Sequence, residues 1–535
     1  MVELTNSGPV REDERTPVLI GVGEASERLG APDYRALSPA DLAANAVRDA
    51  LRDASAPDLA RHIDVIAAIR QFEVSTPGAS PPFGAADNFP RAVAQRVGAN
   101  PARAILEVAG GQGPQHLVNE MANAIGEGEV GLALLVGSEA ISTVRHLTGE
   151  GKKPDWCEAV AGSLEDRGYG LDGLVCETLF RHGGRNPIQL YALLENARRA
   201  RMGTDRETYR TEMAELFAPF TRVAADNPHA MSREVYTAEQ LAAVGVRNRI
   251  TSDPYPRRMV ARDQANQGAA ILLASVGVAR RLGVPQERWI YLHGGADVRE
   301  RSVLQRPDLS SSPAAVQAMQ QGLKMAEIDI ASVSMFDLYS CFPIAVFNIC
   351  EGLGLAPDDP RGLTVTGGLP FFGGAGNNYS MHAIAEMVRC LRRRAGAVGL
   401  VGANGGFLSK YSVGVYSSTP KRWQPVDSAV LQHLIDSVPA PRLARSGAGE
   451  GRILTYTIDY SAALPRVTII GSNDREERFV AMSAGDDKLM HQRFTSQEPL
   501  GARVTFTMDG KGRRIVTGFE PTSISRKAGV AANGF

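Results

Sequence analysis

Two glycine-rich turns each lead into a helical segment, and they are where this chain could do chemistry. The first is Ala109-Gly110-Gly111-Gln112-Gly113; the second is Gly367-Gly368 followed by Gly373-Gly374-Ala375. A turn that opens a helix points free backbone N–H groups, and the positive end of the helix dipole, at a carbonyl oxygen or an anion. Glycine lets a loop or ligand approach those groups closely. Gly111-Gln112-Gly113 lacks the third glycine of the dinucleotide fingerprint, and no acidic residue follows on a second strand, so the turn does not read as a dinucleotide site. His116 and His382 stand at equivalent places beyond the two turns, a symmetry that suits a structural role better than a catalytic one. His182, in Phe180-Arg181-His182-Gly183-Gly184, reads equally well as a surface residue. Tyr339 could donate a hydrogen bond to a carbonyl oxygen. The five cysteines, Cys157, Cys176, Cys341, Cys350 and Cys390, form neither a metal spacing nor a disulfide framework. No metal site is expected, and reduced thiols fit a cytoplasmic protein.

The elements that position these turns repeat. Leu106 to Ala140 matches Val365 to Gly406: an apolar segment, a glycine-rich turn, a helix rich in Ala and Met, and an apolar strand. His116, Glu120 and Met121 recur as His382, Glu386 and Met387, and Val130-Gly131-Leu132 as Val398-Gly399-Leu400. A weaker echo pairs Ser38-Pro39-Ala40 and Ile63-Asp64-Val65 with Ser312-Pro313-Ala314 and Ile328-Asp329-Ile330. Solenoid periods are much shorter, so this is a duplicated domain. Strands at Val18–Gly23, Ile63–Ile69 and Ala104–Val108 alternate with helices, which predicts an α/β fold with parallel pairing. Ser38 and Pro39 read as the cap and first residue of a helix whose face carries Ala43, Ala46, Val47, Ala50 and Leu51. Residues 1–16 are polar and expected to fray.

Four units follow: a first half, 17–144 with 263–286; a helical insertion, 145–262; a second half, 287–418; and a small β-barrel, 421–525. In the insertion, Tyr191 to Arg201 predicts a helix with a basic outer face, and Tyr209 to Phe217 another. Ser417-Ser418-Thr419-Pro420 reads as a linker, which predicts a protease-sensitive boundary and a folded fragment ending near 418. Short strands beginning at Arg452, Arg466, Arg478, Arg503 and Ile515, with no long helices between them, predict the barrel. The net charge of −1 and the acidic Asp474, Glu476, Glu477, Asp486 and Asp487 argue against nucleic acid. A protein partner suits the barrel better. The most apolar run, Val130 to Val136, is too short to span a bilayer, and the N-terminus has no apolar signal core.

Three motifs resemble those of a known family. Asn266-Gln267-Gly268-Ala269-Ala270 resembles the N-D-G-A-A of thiolases, and Gly367-Gly368 with Gly373 resembles their G-G-x-x-x-x-G-H. Asp337-Leu338-Tyr339-Ser340-Cys341-Phe342 resembles the E-L-H-D-C-F of sterol-carrier-protein-type thiolases. With the duplicated core and the insertion, residues 17–418 resemble the thiolase superfamily, in the group that adds a C-terminal OB-like domain. The resemblance implies a duplicated thiolase fold, acyltransferase ancestry in lipid metabolism and CoA or an acyl-CoA as ligand, with no tightly bound cofactor.

Carried over residue by residue, the family's nucleophilic Cys falls at Gly110, its His at Gly374 and its second Cys at Ala403 (Gly402 if the glycines are aligned strictly). The Asn or His of the E-L-H-D-C-F-type loop falls at Tyr339. No Cys lies between 103 and 120 or between 396 and 410, so a small shift of alignment does not restore the set. Without a thiol and its base, covalent acyl transfer has no mechanism at these positions. Cys341 reads as a packed residue. The thiol end of the ligand is expected at Gly110, Gly113, Tyr339, Gly373, Gly374 and Ala403, and its phosphates at Arg222, Arg258 and Arg262 of the insertion. The reading is a CoA- or acyl-CoA-binding protein without ordinary thiolase activity. The alternatives are an acyltransferase or aldol-type lyase using residues such as Tyr339, and a non-catalytic assembly module.

Overall fold

The computed structural model describes residues 13–521 apart from 173, 175, 446, 462 and 463. The first apolar segment forms β1 (Pro17–Ser26), and α1 (Pro39–Asp53) packs on it. Ser38 Oγ accepts from the Asp41 N–H at 3.2 Å, and Pro39 takes the first turn, where no N–H is required. Ala43, Ala46, Val47 and Ala50 are buried, as their spacing predicts. Then come β2 (Val65–Ala68), α2 (Phe89–Arg96), β3 (Arg103–Leu106), α3 (Gly113–Glu127), β4 (Leu132–Ala140) and α4 (Ile141–Gly149). Next in the chain are β5 (Glu165–Asp166), α5 (Glu177–Arg181), α6 (Pro187–Met202), α7 (Arg206–Asp226), α8 (Ala238–Ala242), β6 (Ile250–Ser252) and β7 (Tyr255–Pro256). β8 (Asn266–Ser275) and α9 (Val276–Arg281) return to the core pattern. The second copy supplies β9 (Ile290–Arg299), α10 (Pro313–Ala326), β10 (Met335–Leu338), α11 (Pro343–Leu353), α12 (Tyr379–Arg392), β11 (Val398–Gly405) and β12 (Lys410–Ser417).

All of these strands but β6 and β7, which extend the C-terminal sheet, join in one sheet of ten, in the order β10-β11-β12-β9-β1-β8-β4-β2-β3-β5. The duplication is visible in that order. Outward from the β1–β9 seam, β1-β8-β4-β2 on one side repeats as β9-β12-β11-β10 on the other. Pairing is mixed rather than parallel. β2 runs parallel to β3 and β4, and β10 parallel to β11, while β8 and β12 are antiparallel to their neighbours. The reason is the connection: only residues 406–409 separate β11 from β12, and a link that short closes a hairpin, whereas parallel neighbours need a crossover. α3 and α12, the helices that follow the two glycine turns, pack against each other within the main core.

Other expectations need correction. Residues 1–12 of the expected frayed segment lie outside the described residues, but 13–16 are docked: Thr16 and Glu14 accept from the N–H groups of Val276 and Gly277. The echo of Ile63-Asp64-Val65 in Ile328-Asp329-Ile330 is not structural. Asp64 binds the Gly131 and Leu132 N–H groups beside β2, whereas Asp329 caps a short turn ahead of β10. The predicted basic outer face of α6 is not solvated. Arg198 is bound by Glu351, and Arg199 is fully buried with Glu498 on both its Nη atoms.

The C-terminal unit contains α13 (Ala429–Ser437), β13 (Gly449–Asp459), β14 (Arg466–Ser472), β15 (Arg478–Met482), α14 (Lys488–Ser496), β16 (Arg503–Met508) and β17 (Arg514–Glu520). The order β13-β14-β15-β17-β16 closes on β13, making a five-stranded barrel around Tyr456, Phe479, Phe494, Val504 and Phe519. Residues 522–525 of its expected span lie outside the described residues. The barrel is fastened to the insertion: β13 pairs with β6, and Ile470 and Val480 belong to the main core. No helix among the described residues is long and apolar enough to cross a membrane.

Candidate functional site

The first glycine turn leaves β3 and reaches the N-terminus of α3. Gly110 has φ +141°, a conformation that side-chain-bearing residues rarely adopt, and its N–H donates to Asn377 Oδ1 at 3.0 Å. Asn377 sits in the second glycine loop and also donates to the Arg70 carbonyl and Ser75 Oγ, both at 2.8 Å. Ser380 Oγ donates to the Gly111 carbonyl at 2.6 Å. The two turns are thus bonded to each other across the molecule. Gly113 closes the first turn, its N–H donating to the Gly110 carbonyl at 3.0 Å. In the second, Gly374 N–H donates to the Arg262 carbonyl at 2.7 Å. A methyl group at Gly373 would come within 2.7 Å of Gln267 Oε1, so that glycine is needed for packing against β8.

Three polar side chains close on the first turn. Gln112 is buried, and its amide fills the space between the Cα atoms of Gly110 and Gly405; a methyl at either would collide with its Oε1. That oxygen has no hydrogen-bond partner among the described residues. The Tyr339 hydroxyl abuts Gly111, where a methyl would strike it. Asn404 Nδ2 donates to the Tyr191 hydroxyl at 2.7 Å and approaches Cys341 Sγ at 3.7 Å, while its buried Oδ1 has no partner among the described residues. Ala403 is buried in β11 opposite Ser412 and brings no polar group. Burial pushes the Cys341 thiol up to about 12, so it remains protonated at neutral pH, as a packed cysteine would. Burial likewise raises the Tyr339 phenol well above its ordinary value; it can donate a proton in a hydrogen bond but is no base.

The remaining sequence-derived positions are dispersed. Arg262 is exposed, with its backbone holding the Gly374 loop. Arg258 lies over the Tyr236 ring at 4.4 Å, and Arg222 is exposed. His116 and His382 differ despite their equivalent places. His382 Nδ1 is buried 2.5 Å from Glu24 in an ion cluster with Arg389, which fits the structural role expected of it. His116 instead faces a cavity, 3.3 Å from Glu107; burial opposes its charge, but Glu107, Asp297 and Glu120 hold it at about 9. His182 is buried rather than superficial: Nδ1 meets the Thr178 carbonyl at 2.7 Å, and Nε2 accepts from the Arg514 N–H at 2.9 Å, joining insertion to barrel. Glu107, His116 and Glu120 have ligand atoms close enough for a metal ion, but the Arg167 guanidinium already binds both carboxylates.

Gln112, Asn377, Asn404 and Glu139 were not legible as site residues, although the first three lie within three residues of Gly113, Gly374 and Ala403, which were. Glu139 ends β4 beneath the second loop. It accepts from the Phe72 N–H at 2.7 Å and packs on Gly376, and burial, reinforced by Glu73, pushes its carboxyl up to about 8. A carboxyl raised on folding stabilises below its unfolded value near 4.5, and this contribution is lost as pH climbs towards about 8. Glu139→Gln keeps a neutral acceptor there. The difference in Tm between wild type and variant is therefore expected to move in the variant's favour from pH 5 to pH 8. A difference constant across that range would show that Glu139 is not held protonated.

A duplicated α/β core with two bonded glycine turns at helix N-termini, an insertion and an added barrel defines a thiolase-fold protein. Residues 295–418 match the thiolase C-terminal domain-like family model, and residues 430–511 match the thiolase-like protein type 1 additional C-terminal domain. Among solved structures, a monomeric SCP2-thiolase-like protein type 1 from Mycobacterium smegmatis is 43% identical. The match covers 94% of this chain and 99% of that one, with a TM-score of 0.81. The chain belongs to the SCP2-thiolase-like protein type 1 family. Two more distant structures share the fold. An Ltp2-ChsH2(DUF35) aldolase is 18% identical (76% of this chain, 99% of that chain, TM-score 0.57). The dimeric peroxisomal thiolase of Saccharomyces cerevisiae is 14% identical (76% and 98%, TM-score 0.56). No curated protein matches the chain.

Proposed function

We propose that this protein binds CoA or an acyl-CoA between the two glycine turns and does not carry out thiolysis. The observation that carries the reading is the ring of Gln112, Tyr339 and Asn404 around Gly110 and Gly111. These groups can hold a carbonyl oxygen by hydrogen bonds, but none is a nucleophile. The nearby thiol, Cys341, is kept protonated by burial. The thiol end of the ligand would lie at Gly110, Tyr339, Gly374 and Ala403, and the phosphates towards Arg222, Arg258 and Arg262. Calorimetric titration should show saturable CoA or acetyl-CoA binding, while acetoacetyl-CoA thiolysis stays at background, because loss of nucleophile and base removes several powers of ten in rate. Thiolysis that survives in a variant lacking all five cysteines would sink this reading.

A second reading is cleavage of a 3-hydroxyacyl-CoA by a retro-aldol step, which needs no thiol. It is favoured by the Tyr339 hydroxyl, placed to hydrogen-bond a thioester carbonyl beside the α3 N-terminus. Release of an aldehyde or ketone, lost in Tyr339→Phe, would establish it. A protein partner for the barrel also belongs to this proposal. It must meet a face other than the one already packed on α6 and α7.

A further inference from the structure

A cavity of about 650 Å3 lies between α3, the strands β9 and β12, and residues 426–432. Lys410 and Arg299 both line it, and the antiparallel register of β12 with β9 sets them opposite each other. Like charges facing across a ladder are destabilising, and a buried ammonium is normally paired. Some buried cations here have carboxylates, Arg392 with Asp53 and Arg167 with Glu107 and Glu120, while Arg306 and Arg478 bind only carbonyl and hydroxyl oxygens. Lys410 and the exposed Arg299 have no carboxylate in ion-pair contact among the described residues. Lys410, only 4% exposed, donates to the Ala109 carbonyl at 2.8 Å, and Arg299 reaches the Asp172 carbonyl at 3.4 Å. Of the acids that share the cavity, Glu107 and Glu120 bind Arg167, Asp297 binds Asn119 and Ser412, and the exposed Asp427 accepts from the Ala429 N–H. Burial and the facing Arg299 push the Lys410 amine down to about 8, against the opposing charge of Glu107.

We propose that this cavity binds a small hydrophilic anion whose carboxylate or phosphate group bridges Lys410 and Arg299. An anion there would satisfy the spare donors of both side chains and cancel their repulsion. The remaining lining, including Asn123, Ser412, Ser428 and Gln432, is polar and suits a hydroxylated molecule more than an acyl chain. The site adjoins the proposed CoA site, since Gln112 also lines the cavity and Lys410 binds the Ala109 carbonyl, but it invokes neither Tyr339 nor the insertion arginines.

The test is calorimetric titration of the full-length protein at low ionic strength with inorganic phosphate and, separately, with D-gluconate. At least one probe should bind saturably at one site. Binding should weaken roughly tenfold or more in Lys410→Met and in Arg299→Met, the loss expected for one charged hydrogen-bonding partner. Preference for gluconate identifies an organic acid as the source of the anionic group; preference for phosphate identifies the free ion or a phosphoester. Arg299 is solvent-exposed, so its variant should fold, and Arg299→Lys should retain most of the affinity. Absence of saturable binding by either probe would overturn the proposal, as would wild-type affinity in both Met variants. A CoA titration abolished by Arg299→Met would also overturn it, by showing that the cavity belongs to the CoA site.

Discussion

A fragment ending at residue 418 should aggregate, whereas the whole chain stays soluble. The linker composition around Pro420 suggests a detachable module, but the packing shows the reverse. β13 lies along α6, where Asn196 Nδ2 donates to the Tyr456 carbonyl at 3.0 Å, Gln189 Nε2 donates to Asp459 at 2.6 Å, and Thr455 Oγ1 donates to the Leu193 carbonyl. Arg199, with no exposed surface, is bound by both oxygens of Glu498 and by the Tyr456 hydroxyl. Arg206 reaches the Phe494 and Thr495 carbonyls, and Arg478 of the barrel reaches back to the Leu304 and Arg306 carbonyls. Removing one partner of a buried ion pair costs about 3–5 kcal/mol, a large part of the ~5–15 kcal/mol that holds a typical protein folded. Truncation removes one such partner, Glu498, along with the carbonyl partners of Arg206, and bares the apolar surface that Ile470 and Val480 cover. The linker itself is anchored: Trp423 packs on Gly126, and Val426 exchanges hydrogen bonds with Asn123 at 2.9 Å. Size-exclusion chromatography and a thermal scan of residues 1–418 decide it. A monomeric fragment melting near the wild-type temperature would make the barrel a separate module after all.

Glu498 and Tyr456 show why this could not be read from the sequence. Their neighbours in the chain mark turns and strands, and nothing local says that they meet Arg199. What was legible is whatever carries its own periodicity or cap. The repeated turn-helix-strand pattern appears as the mirrored halves of one sheet, Ser38 caps α1, and barrel strands begin at or close to the arginines that head their apolar runs. β5, Glu165–Asp166, gave no signal because a two-residue polar strand has no pattern to detect. The basic side of α6 misled because arginine has the same helical spacing whether it meets water or a buried carboxylate. At the site, the glycines were legible by composition. Gln112, Asn377 and Asn404 were not, because their role depends on turns separated by more than two hundred residues coming together.

Gly110 and Gly374 should respond differently to the same substitution, although the sequence treats them alike. At Gly110 any side chain meets both the positive φ and the Gln112 amide, so Gly110→Leu should destabilise by about 1–3 kcal/mol from backbone strain alone and abolish CoA binding. At Gly374 the nearest obstacle to a Cβ is the Arg262 carbonyl at 3.2 Å, which a small shift of the loop relieves. Gly374→Leu should therefore keep nearly the wild-type Tm and lose affinity only by crowding the ligand. Gln112→Ala removes the atom that blocks Gly110 while leaving the backbone as it is. It should widen the space between Gly110 and Gly405, and the double variant Gln112→Ala with Gly110→Ala should recover more of the lost stability than additivity allows. Calorimetry with CoA, alongside thermal scans as the folding control, reads these four proteins and the Gly110→Ala single variant that completes the cycle. Unchanged affinity in both leucine variants would remove the ligand from the glycine turns. Strict additivity in the double variant would mean that Gln112 does not fill the space that Gly110 leaves open.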